Sequence, residues 1–277
     1  MSFLSQPNDD GLCIRDVGDW SRDKHYYLER YIDGFTTAMK KKRWRGLHYV
    51  DLFAGSGMER LEGSGQLEWG SPLIAAQAPN PFDGIHVCEL KTKPFSALKV
   101  RLTRLRPDAN VHHGDANLLV DSIVREIPDK TLSLAFLDPY GLHLNFNTLR
   151  TLSSKRTDLL IFFPDHLDAL RNCHYVYQDD PDSNLDKVLG PGADWRLIFE
   201  STPRDKWAEE LRKTYVRQIR TLGYRHFLYE RIMARGQPLY LLIFCSKDKA
   251  ADNIWRGISR IKADSQRTFD FPPPESP

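Results

Sequence analysis

The chain has 277 residues, 41% of them hydrophobic and 27% charged, the balance of a soluble protein long enough for a substantial core. Its formal net charge of +2 is lower than that of proteins that wrap duplex nucleic acid, and no apolar run approaches the roughly 20 residues of a membrane span. The opening "MSFLSQPNDDGLC" lacks the basic start and apolar stretch of a signal peptide, and Cys13, Cys88, Cys173 and Cys245 form no CxxC pair, so a cytoplasmic protein without a structural metal is expected.

After a polar lead-in (residues 1–22), "DKHYYLERYIDGFTTAMKKKRW" places Tyr27, Leu28, Tyr31, Ile32, Phe35 and Met39 at helical spacing. The cluster "MKKKRWR" reads as a solvated helix end whose cations suit the C-terminal dipole, with a nucleic-acid contact as the alternative. "LHYVDLF" predicts the first strand, and "SPLIAAQA" a helix with Ser71 as N-cap and Pro72 at N1. Strand "GIHVCEL" and helix "PFSALKVRLTRL" follow, then strand "ANVHHGD" and helix "ANLLVDSIVREI". "LSLAFLDP", helix "FNTLRTLSS" and strand "DLLIFFP" complete five βα-type units. Apolar strands alternating with amphipathic helices predict an α/β protein whose parallel sheet is covered on both faces.

The polar stretch of about residues 165–203 is too long for a simple connection and predicts a helical insertion. Helix "PRDKWAEELRKTYVRQIRTLG", with Gly223 as its C-cap, leads to strands "YRHFLYERIMA" and "PLYLLIFCS", an antiparallel pair joined by "RGQ". A last helix, "KAADNIWRGISRIKAD", closes a domain of residues 23–265, and residues 266–277 form a disordered Pro-rich tail.

Ligands of open parallel sheets sit outside the carboxyl ends of the strands. Here four successive strands each deliver an acid to that edge: Asp51 before the loop Ala54-Gly55-Ser56-Gly57, then Glu89, Asp115 and Asp138. The dinucleotide pattern GxGxxG fails, because Arg60 holds the sixth position and Asp51 would repel a pyrophosphate. No GK[ST] follows either, which excludes a Walker loop. A cationic, phosphate-free adenosyl ligand fits better, and S-adenosyl-L-methionine is such a ligand. Asp51 would lie near its cationic end, and the loop from Phe53 and Ala54 through Gly55 and Gly57 would approach it closely. Glu89 would accept from the ribose hydroxyls, and Asp115 with the Ala116 backbone would meet the adenine. The helix start at Ser71 suits the methionine carboxylate.

"DPYG" (Asp138, Pro139, Tyr140, Gly141) is similar to the acid-Pro-Pro-aromatic loop of amino-group methyltransferases, although it has a single proline. That likeness implies that Asp138 accepts from a target amine while Tyr140 stacks on a planar base. The bland alternative is a proline turn with Tyr140 packed on a neighbour. His112-His113 show no carboxylate or cysteine spacing that completes a metal site.

"KHYYLERYIDGF", "YVDLFAGSG", "GSPLIA", "FLDPYG" and "LYLLIFCSKDKAADNIW", in that order, resemble the three-Cys-motif partner proteins over about residues 23–255. "AGSG" stands where that family often shows "AGPG", and "SKDKAADNIW" where a glycine is common. The resemblance implies a Rossmann-like class I methyltransferase of three αβα layers, with a seven-stranded, mostly parallel sheet and an antiparallel last strand. It also implies a cysteine-rich, iron–sulfur, radical-type partner protein. The expected activity is methyl transfer to a planar amine of a nucleic acid or nucleotide. The alternatives are a protein or peptide acceptor, or a non-catalytic module that docks the partner.

Overall fold

The computed structural model describes residues 2–164, 177, 179–234 and 236–259. Strand β1 (Arg15–Val17) and helix α1 (Ser21–Met39) come first, followed by β2 (Leu47–Asp51), β3 (Met58–Leu61), β4 (Leu67–Trp69) and α2 (Ser71–Ala76). Next are β5 (Gly84–Glu89), α3 (Thr92–Leu105), β6 (Asn110–His113), α4 (Ala116–Glu126), β7 (Leu132–Leu137), α5 (Phe146–Ser153) and β8 (Thr157–Phe163). The short α6 (Asn184–Leu189) and α7 (Trp195–Ser201) precede α8 (Trp207–Thr221), the hairpin β9 (His226–Ala234) and β10 (Gln237–Ser246), and α9 (Ala250–Ser259).

The main sheet has seven strands in the order β6-β5-β2-β7-β8-β10-β9. Pairings from β6 through β8 are parallel, while β10 runs antiparallel to both β8 and β9. Strands β2, β7 and β8 are buried at every position, so their side chains divide between two apolar layers. Val50, Ala135, Leu137 and Ile161 face α4, α5 and α8. Tyr49, Leu134, Phe136 and Phe162 face α1, α2, α3 and α9. The second layer is aromatic: the Phe244 and Trp255 rings stack 5.4 Å apart, and Tyr31 lies 4.8 Å from Phe244. This is the Rossmann-like three-layer architecture that the sequence predicts.

Several boundaries differ from expectation. Helix α1 stops at Met39 with Lys40 as its C-cap, because Lys40 through Arg43 are exposed and offer the core no further apolar residue. The basic cluster therefore follows the helix and places no cation in its last turn. Gly70, not Ser71, is the N-cap of α2. Gly70 donates its N–H to Gly57 O at 2.9 Å, and its own carbonyl accepts from Leu73 and Ile74. Leu222 is the C-cap of α8, with Gly223 next at φ +89°. The stretch "MERLEGSGQLEW" forms hairpin β3–β4, and β1 of the lead-in pairs parallel to β3, making a second, three-stranded sheet. The first part of the expected insertion, the "RGQ" turn's Arg235, Cys173 and the Pro-rich tail lie outside the described residues. Cys88 and Cys245 are buried free thiols. Among the described residues no helix is long and apolar enough to cross a membrane.

Candidate active site at the carboxyl ends of the strands

The chain leaves β2 outward through β5 and β6, then returns to lay β7 on the other side of β2. That reversal opens a crevice beyond the carboxyl ends of β2 and β7. Register sets the strand-end acids there as steps. Asp51 ends β2 opposite Val87 and Phe136, and Glu89 and Asp138 each lie two residues beyond those partners. Two residues of strand amount to about 7 Å. Glu89 in turn pairs with His113, and Asp115 lies two residues further on. Asp51 is thus the floor, with acids rising on both sides.

Asp51 is fully buried. The Phe53 N–H donates to its Oδ1 at 3.2 Å and the Tyr49 hydroxyl to its Oδ2 at 3.3 Å. Burial pushes Asp51 up to about 7; nearby Asp138 adds to this, and the donors oppose it. The Tyr49 hydroxyl also lies 3.5 Å from Ser71 O and so ties the first turn of α2 to the strand end.

Glu89 holds the glycine loop. Its Oε2 accepts from Gly55 N–H at 2.9 Å and its Oε1 from Lys91 N–H at 2.7 Å. Gly55 sits at φ +62°, and among the described residues a Cβ there would meet nothing within 4 Å, so the loop presents bare backbone on that side. Gly57, at φ +79°, instead faces inward, where a Cβ would press on Leu73 and Leu98 at 3.1–3.2 Å. Its missing side chain serves packing, and Gly55 is the member of the pair with room beside it. Ala54 is buried, its N–H donating to Cys88 O at 3.0 Å. Asp115 is exposed and is the N-cap of α4, accepting from Asn117 N–H at 2.8 Å, and Ala116 is the first helical residue.

The loop after β7 brings in residues that the sequence reading did not assign. Lys24 of α1, 1% exposed, places Nζ 2.6 Å from Asp138 Oδ2 and 3.7 Å from Glu59 Oε1 of β3. Burial works against the Lys24 charge, but Asp138 and Glu59 outweigh it and raise its pKa. Burial likewise opposes the Glu59 charge, yet Lys24, His25 and the Ser21 hydroxyl hold Glu59 down at about 2. Asp138 is 12% exposed at its side chain, and among the described residues no donor reaches its Oδ1. Pro139 is buried, whereas Tyr140 is 79% exposed. The packed-Tyr140 alternative therefore fails. Lys24 was marked in the sequence only by its position, on the same helical stripe as Leu28, Tyr31 and Phe35.

No family model matches the chain, and no curated protein matches it in sequence. Among solved structures, protein LPL1258 from Legionella pneumophila, of family DUF519, aligns with TM-score 0.52 at 12% identity, over 85% of this chain and 90% of its own. An O-methyltransferase from Bacillus cereus, in complex with SAH, aligns at 0.47 and 12% identity, over 86% and 85%. The O-methyltransferase TomG from Streptomyces achromogenes, involved in tomaymycin synthesis and in complex with SAM, aligns at 0.48 and 10% identity, over 81% and 80%. The LPL1258 likeness is one of fold.

Proposed function

We propose that the chain is an S-adenosyl-L-methionine-dependent methyltransferase acting on a planar amine of a nucleic acid or nucleotide. The observation that carries this reading is the coupling of Glu89 to Gly55: an acid ending the second parallel strand grips a loop with open space beside it. An acid so placed suits the ribose hydroxyls of an adenosyl group. Asp115 and the Ala116 N–H, an amide in the first turn of α4, suit the adenine edge. Asp51, titrating near neutrality at the floor, suits a cation and disfavours a phosphate.

When bound, the cofactor supplies an already activated methyl group, so positioning is the protein's main contribution. Asp138 Oδ1 accepts from the target amine and aims the nitrogen lone pair. Lys24 remains an ammonium and so is no general base; its ion pair fixes the carboxylate that does the aiming. Tyr140 offers the planar base a stacking face worth roughly 1–3 kcal/mol. The motif order supports membership of the three-Cys-motif partner family, and with it a cytoplasmic setting and a cysteine-rich, iron–sulfur partner.

Calorimetry with S-adenosylmethionine and its demethylated product tests the cofactor, and absence of heat with both overturns the reading. Transfer of a labelled methyl group, offered RNA, DNA and lysate protein, tests the acceptor: label in nucleic acid supports the proposal, and label in protein moves it to a peptide acceptor. Stable co-purification with the cysteine-rich partner and no product from any acceptor would make the fold a docking module.

A further inference from the structure

The sheet face away from the crevice carries a cluster that methyl transfer does not use. His48 of β2, His86 of β5 and His112 of β6 project on the side covered by α4, whose last residue is Glu126. His86 Nδ1 and His112 Nε2 each lie 3.3 Å from the same oxygen, Glu126 Oε2. The three atoms fall within 4.8 Å of one another. The two nitrogen–oxygen contacts match the roughly 3.3 Å edge of a tetrahedron around a metal with bonds of about 2.0–2.1 Å, the range of zinc to imidazole and carboxylate, and loading would draw the two nitrogens to the same spacing. Hydrogen bonding does not account for the full arrangement, because His112 Nε2 is buried and accepts or donates none, its approach to Glu126 lacking the geometry.

The surroundings prepare His86 as a ligand. Its Nε2 lies 3.1 Å from His48 Nδ1, the outer contact that fixes a ligand imidazole's tautomer. The two imidazoles also stack, with centroids 5.4 Å apart and planes 20° from parallel, so His48 holds the His86 ring in place. His86 Nδ1 lies toward Glu126 Oε2, with Asn110 Nδ2 also 3.3 Å away, a contact that a bound ion would replace. Gly84 permits this stack, since a Cβ there would collide with the His48 ring. Glu126 ends α4, where the helix carbonyls add negative potential that a cation would neutralise.

We propose that His86 Nδ1, His112 Nε2 and Glu126 Oε2 bind a divalent transition-metal ion of the zinc class, with water at the fourth position. Two imidazoles and a carboxylate suit zinc better than magnesium or calcium, which take oxygen ligands. With Glu126 40% exposed at its side chain, the site is open to loading from solvent. The bound ion would clamp β5, β6 and α4 together at the edge of the sheet.

The test is titration of chelator-treated, full-length protein with Co2+, followed by visible absorption, and with Zn2+, followed by calorimetry and the thermal midpoint. The expected result is one equivalent of Co2+ with the intense visible band of four-coordinate geometry, and a rise in midpoint with Zn2+. His112→Ala and Glu126→Gln, at partly exposed positions, should each abolish the band, and His48→Ala should weaken affinity about 10–100-fold. No binding by the wild type, or stoichiometric binding unchanged in both His112→Ala and Glu126→Gln, overturns the proposal. Binding of S-adenosylmethionine provides a separate readout of folding in every variant.

Discussion

Replacing Lys24 with Met tests whether a single buried cation holds the crevice together. At an effective dielectric constant of about 20, the 2.6 Å contact with Asp138 and the 3.7 Å contact with Glu59 correspond to roughly 6 and 4 kcal/mol of gross attraction. Desolvation of each ion returns several kcal/mol of this. Deleting the lysine leaves both carboxylates in a site where they are only 12% and 11% exposed, and loss of one partner from such a cluster costs about 3–5 kcal/mol. Urea denaturation at pH 7.5 is the assay, with Lys24→Met, Glu59→Gln and the double variant forming a cycle. The single variant should lose about 3–5 kcal/mol, and the double variant should recover a large part of that loss by removing one stranded charge. A loss below about 1 kcal/mol, or strictly additive effects, would refute the coupling. Under the proposed function, Lys24→Met should also slow methyl transfer more than it weakens cofactor binding, because the lysine pairs with Asp138 and the β3 acid and lies over the Trp20 ring, away from the glycine loop's Glu89.

Asp158 is buried, accepts from Tyr31 at 3.3 Å, and is pushed by burial up to about 7 from a usual value near 3.8. A carboxyl raised in this way stays protonated in the fold and ionises on unfolding, so its stabilising contribution is present at low pH and is lost as pH rises from about 4 to 7. Asp158→Asn should therefore remove about 3 kcal/mol from the stability that the wild type gains between pH 8 and pH 5, measured by urea midpoints at the two pH values. An unchanged pH difference would show that Asp158 is ionised in the fold. Tyr140→Ala should leave the thermal midpoint unchanged, since the ring is 79% exposed, while lowering turnover of the acceptor about tenfold or more. Under the proposed function, Glu89→Gln should weaken S-adenosylmethionine binding at least tenfold by calorimetry, because one of the two oxygens that accept from Gly55 and Lys91 becomes a donor.

The parallel core was legible because its strands are short apolar runs bounded by turn residues, and Asp51, Glu89 and Asp138 declared themselves by ending such runs. Hairpin β3–β4 was not legible, since "MERL" and "LEW" are too short to show a period and are separated by a polar, Gly-containing turn. Their pairing is decided by β1, which lies more than 40 residues earlier in the chain. Lys24 reaches Asp138 across a sequence separation of 114, so only its odd place on an apolar stripe could announce it. In the sequence His112 has no carboxylate at metal-ligand spacing. Glu126 was read only as part of a helix, and its meeting with His86 and His112 depends on how α4 crosses the sheet.

The anchoring of the segment before α1 bears on the order in which the molecule assembles. Arg101 of α3 is 4% exposed; it grips both oxygens of Asp10 at 2.6 and 2.8 Å, and its Nη1 donates to Cys13 O and Ser56 O. Residue 10 can therefore settle only after residue 101 has joined the sheet, a separation of 91 residues that makes this docking slow to close. Until it does, Arg101 braces Ser56 of the glycine loop without its counter-ion, so one side chain holds both the brace and the strap. Opening of this strap would release both together, so hydrogen exchange at β1 and at Ser56 to Met58 should rise and fall as one unit, sooner than exchange in β7 and β8.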